Sequence, residues 1–161
     1  MPHEPRLTRA LRNLLQSQRV AALGTRSTDG QVVVSMVPFA IDTQQGVVVI
    51  HVSQLAAHTA NMLASPQVSL LVMQAERPDE SVHDLPRVTL QGNAIQLITD
   101  TPAWESARSA YLARFPEAEP MTQLGDFRFF SIIISSARHV AGFGAARTVT
   151  PEECSQILHA G

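Results

Sequence analysis

The chain has 161 residues and one cysteine, Cys154. That count excludes an internal disulfide and fits a reducing, cytoplasmic setting. Basic charge is also scarce: twelve Lys and Arg stand against fourteen Asp and Glu, for a net charge of −2. Nothing offsets a phosphodiester backbone, so nucleic acid is not an expected partner. The opening residues 1–6 contain no apolar run, and no signal peptide is expected there. No stretch approaches the ~20 apolar residues of a membrane span, so no membrane partner is expected. There is no internal repeat, no low-complexity segment and no Ser/His/Asp arrangement or dedicated acid–base pair. His83 and Asp84 lie in a polar loop without partners at metal-ligand spacing, so no metal site is expected.

What is present suits one globular domain spanning residues 1–161. Hydrophobic residues make up 45% of the chain, enough for a core of its own. Residues 5–18 read as a helix, with Leu7, Ala10, Leu11, Leu14 and Leu15 at helical spacing. Short apolar runs follow at 20–25, 31–40, 47–52, 67–74, 87–99, 126–134 and 137–143. Turn signals such as Asp29-Gly30 separate several of them. The run 31–40 is nearly continuous, which fits cover on both faces; Ser35 is its one polar interior residue, and Pro38 belongs at an edge or bulge. Gly92 marks a bulge or a close backbone approach. Trp104, Ala107, Tyr111 and Phe115 form the buried stripe of a helix that begins near Pro102. Pro151 opens a short last helix. Most connections are hairpins, so the expected fold is α+β, mainly β: a small antiparallel barrel of six to seven strands with peripheral helices.

The most informative stretch is 51–62, which joins a strand end to a short helix. Ser53 suits the N-cap position. A helix N-terminus there, with Ser53, His58, Thr59 and Asn61, reads either as an ordinary capped helix with a polar outer face or as an anion site suited to a phosphate. His58 is the one possible cation in the block. Leu55, Met62 and Leu63 are placed on the more buried side of this helix.

Four blocks together carry a family likeness: 22–25 with Asp29 and Gly30, 35–40, 53–61 and 87–92. The Gly142-Phe143-Gly144 end belongs to the same pattern. On these residues the chain resembles the FMN-binding split-barrel proteins of the pyridoxamine 5′-phosphate oxidase-like superfamily, over about 14–146. Within it, the likeness is nearest to the haem-utilisation and haem-degrading branch, without that branch's C-terminal domain. The resemblance implies a homodimer with FMN at the subunit interface. It places Val33, Val34, Ser35 and Met36 beside the flavin ring, Ser53, His58, Thr59 and Asn61 at the phosphate, and Arg87 near the flavin.

The leading functional expectation is therefore an FMN-dependent oxidoreductase acting on a small-molecule redox substrate. A second is a haem-binding or haem-degrading protein, with His51, His58, His139 or His159 as axial ligand. A third is a non-catalytic module that keeps the barrel but not the flavin chemistry.

Overall fold

A computed structural model describes residues 3–160; Met1 and Pro2, part of the stretch read for a signal peptide, and Gly161 lie outside it. Helix α1 (Arg6–Ser17) leads into strands β1 (Val20–Arg26), β2 (Val32–Pro38), β3 (Ala40–Asp42) and β4 (Val47–Ser53). Helix α2 (Ala57–Ala64), strands β5 (Gln67–Met73) and β6 (Arg87–Gln96) and helix α3 (Pro102–Arg114) follow. The chain closes with β7 (Phe127–Val140), β8 (Ala146–Val149) and α4 (Pro151–His159).

All strand pairs are antiparallel, in the order β2-β1-β5-β6-β7-β4-β3, with β8 on β7. The sheet curls into a split barrel, as the hairpin connections predict. Period-2 alternation sends Leu23, Leu70, Leu90 and Ile132 inward. The inner core is closed by Leu11, Leu14 and Leu15 of α1 and by Ile157 and Leu158 of α4. A second core lies across the sheet, where Ala107, Tyr111 and Phe115 of α3 meet Val47, Val49 and Phe129.

The structure corrects several sequence expectations. The runs 126–134 and 137–143 form one fourteen-residue strand, β7. The 31–40 run is two strands, broken at buried Phe39, and the single chain by itself leaves its outer face uncovered. On the outer face Val32, Val34 and Met36 are 79%, 68% and 67% exposed. Pro38 ends an edge strand, where its missing N–H disturbs no ladder. Gly92 sits at a register shift against β7, as expected of a bulge, and a Cβ there would run into the Ile133 carbonyl.

Candidate functional site

Ser53 does not cap α2. Its hydroxyl accepts from the Leu55 N–H at 3.1 Å, forming a tight turn ahead of the helix. The helix starts four residues later, with Ala56 in the N-cap position and no side-chain cap. No side chain caps the first turn of α2, and the Thr59 N–H donates to the Ala56 carbonyl at 3.1 Å. The buried side of α2 also differs from expectation: Met62 is buried, but Leu55 and Leu63 are exposed.

Within the 53–61 block the polar side chains divide. The Thr59 hydroxyl is buried and donates to the Ser53 carbonyl at 2.6 Å, tying helix to turn. The Asn61 amide is buried and donates to the Thr25 hydroxyl on β1 at 3.1 Å. Both side chains fasten α2 to the barrel. His58, like Ser53, is only partly buried, and its Nδ1 lies 3.0 Å from the Ser35 hydroxyl of β2. Two residues singled out separately in the sequence are thus one hydrogen-bonded pair. Burial pushes the His58 pKa down, against the cationic form that the anion reading uses.

The four β2 residues split between faces. Val33 and Ser35 turn toward the α2 side, while Val34 and Met36 point outward. Arg87 is not with them. It lies three strand spacings (roughly 14 Å) and three residues (roughly 10 Å) from the Ser35 row, judged from the register. Its guanidinium donates to the Leu85 carbonyl at 2.8 Å, bracing the loop before β6. On the outer face the same register runs from Met36 through Ala22, Leu71 and Thr89 to Arg138. One sheet surface therefore grades from apolar at β2 to cationic at β6 and β7.

The four histidines differ sharply. His139 is buried, with Nδ1 accepting from Arg147 Nε at 3.3 Å. His51 is buried among Tyr111, Phe127 and Phe129. Both rings are withdrawn from solvent. His159 is exposed and donates through Nδ1 to the Thr43 carbonyl at 3.0 Å, at the β3–β4 hairpin. His58 follows the other end of β4, so seven residues of strand, roughly 20 Å, separate the two. Among the described residues no cluster of three or more His, Cys, Asp or Glu is placed to hold a metal ion, and no helix is long and apolar enough to cross a membrane.

Comparison with known proteins gives consistent results. The family described as pyridoxamine 5′-phosphate oxidase matches residues 7–141. Heme oxygenase HutZ of Vibrio cholerae is 27% identical over 96% of this chain and 87% of its own length. The chloroplastic non-canonical heme oxygenase HOZ of Arabidopsis thaliana is 39% identical over 70% of this chain, but the match spans only 32% of that protein. Among solved structures, a heme binding protein from Mycobacterium smegmatis superposes with a TM-score of 0.84 at 26% identity, covering 96% of this chain and 62% of that one. These relatives overturn the expectation of an FMN-dependent oxidoreductase, since HutZ, HOZ and the Mycobacterium smegmatis protein are all named for haem. The family and the haem-utilisation branch were legible in the motif blocks; the choice between flavin and haem was not.

Proposed function

This chain belongs to the pyridoxamine 5′-phosphate oxidase family, and from that premise we propose that it binds haem, with oxidative haem breakdown as its activity. The observation that carries the reading is the exposed apolar strip of Val32, Val34 and Met36 on β2. A porphyrin is a flat apolar ligand with two carboxylates, and the strip shares its sheet face with Arg87 and Arg138. His58, bonded to Ser35 on the α2 side of the same edge strand, offers its imidazole at the open margin of the strand rather than over the strip. The residues therefore fit haem in kind: apolar surface, cations and an accessible nitrogen. Bound haem supplies an iron centre that reacts with dioxygen. The protein's part is to hold the ring, keep water from one face and anchor the carboxylates.

A single β2 strip covers one side of such a ligand. We propose that a second copy of the chain covers the other, giving a homodimer whose two sheets face each other. The one cysteine, half-buried Cys154, suits a reducing compartment, and we place the protein in the cytoplasm.

Titration with haemin tests the reading. A saturable Soret band at one haem per chain is expected, followed by its loss under ascorbate and oxygen with release of a linear tetrapyrrole. A Soret band that survives reductant and oxygen removes breakdown and leaves binding. No saturable band removes both.

A further inference from the structure

A second cavity lies away from the β2 strip, and the proposed haem site makes no use of it. It measures about 440 Å³ and opens between the first turns of α3, the end of β4 and the loop entering β7. Its aromatic wall is Trp104, Phe127 and His51. The His51 ring stacks on Phe127 at 5.2 Å and is only 6% exposed. Its Nδ1 is fully buried with no hydrogen-bond partner. A buried polar nitrogen without a partner is uncommon and unfavourable.

Arg108, one turn from Trp104 on α3, and Arg128, next to Phe127 on β7, also line it. Arg108 donates through Nε to the Thr122 hydroxyl at 3.1 Å and lies 4.0 Å from Glu119. Arg128 uses one nitrogen, Nη1, on the carbonyls of Gly125 and Phe127. Among the described residues no carboxylate pairs with Arg128. Glu105 and Asp100 also line the cavity, from the α3 side. Asp100 holds a left-handed backbone, φ 65°, immediately before α3, an arrangement disfavoured for most residues with a side chain.

We propose that this cavity is a binding site for a small planar aromatic carboxylate. The ring lies against Trp104 and Phe127, and the carboxylate meets the open guanidinium nitrogens of Arg128. A cation held in a concave, aromatic-lined wall without a carboxylate partner favours an anion, and the flat walls favour a ring. Glu105, on α3 beside Trp104, repels an anion, so the carboxylate is placed at Arg128.

Trp104 is the one tryptophan of the chain, so intrinsic fluorescence reports on this cavity directly. Wild-type protein is titrated with benzoate, benzyl alcohol and benzylamine. Benzoate is expected to change Trp104 emission saturably, and benzylamine to bind at least tenfold more weakly. Arg128→Gln is expected to lose at least tenfold in benzoate affinity, and Glu105→Gln to lose none. Equal responses to the three probes, or no saturable response, overturns the proposal. That comparison needs only wild type, so it stands even if Arg128→Gln fails to fold. A folded Arg128→Gln, confirmed by circular dichroism, that binds benzoate as wild type does also overturns it.

Discussion

His51 and His58 are both imidazoles beside β4, yet their surroundings assign them different work. His51 is packed among three aromatic rings, and burial alone pushes its pKa down to about 4. The folded value lies below the unfolded one, so between pH 6.5 and 4 the unfolded chain binds the extra proton. Stability is therefore expected to fall as pH drops through that window, by up to roughly 3 kcal/mol from this group. His51→Phe should flatten the decline, read as the difference in urea midpoint between pH 7 and pH 4.5; an unchanged slope would remove His51 as its source. His58 is instead half-buried and is held by Ser35. His58→Ala is expected to weaken haem binding about tenfold, on the scale of one lost polar contact, with little change in stability. A haemin titration on the folded variant reads this directly, and an unaltered affinity would take His58 out of the site.

Among the elements, the C-terminal pair β8 and α4 is tied down by a polar cluster that runs through three parts of the chain. Arg147 on β8 makes two bonds to Glu153 on α4, at 2.7 and 2.9 Å. The Thr8 hydroxyl of α1 donates to the same carboxylate at 2.6 Å, and Arg147 reaches buried His139 on β7. The Arg147 contact holds the Glu153 carboxyl below its usual range, against the opposing effect of burial. Arg147→Ala would leave Glu153 and His139 partly buried without their partner, and a loss of roughly 3 kcal/mol is expected. The double variant Arg147→Met with Glu153→Leu is expected to lose less than Arg147→Ala alone. Urea unfolding separates the two, and a double variant as damaged as the single one would mean the cluster is not acting as a pair. Gly92 is a second element-scale constraint. Alanine there collides with the backbone of β7 rather than with a movable side chain, so Gly92→Ala should lower stability by about 2 kcal/mol or more.

The whole molecule leaves a surface that one chain does not cover. The strip of Val32, Val34 and Met36 continues through Val20 and Met73, which are also largely exposed. Contiguous apolar surface of this kind marks an interaction face on a folded protein. Phe143, 83% exposed in the turn between β7 and β8, adds an apolar projection beyond the same sheet. A stable dimer is expected by light scattering at low micromolar concentration. Val34→Lys should give a folded monomer, because the side chain already points to solvent in the single chain, and should lose haem binding together with the dimer. A dimer that survives Val34→Lys would place the subunit contact elsewhere.

Much of this protein was legible from residue order because the signals were local. Hairpin turns, period-2 strands, the stripe of α3 and the proline-led starts of α3 and α4 each depend on neighbours within a few residues. The motif blocks likewise identified the family. Three features were decided only by tertiary structure. Ser53 looks like a cap, but the chain makes a further turn before α2 begins, because Thr59 pulls that turn onto the helix. The join of 126–134 to 137–143 was hidden by the serines between them, which sit on the exposed side of a strand already paired to β6. The meeting of Ser35 with His58, and the separation of both from Arg87, depends on how the sheet curls and where α2 packs against it. Sequence therefore determined which elements form and which family they belong to, since those depend on local periodicity and turn chemistry. Which polar groups face one another, which are spent inside the fold and which remain open to a ligand was decided by long-range packing, because burial and partnership arise only when distant strands are brought together.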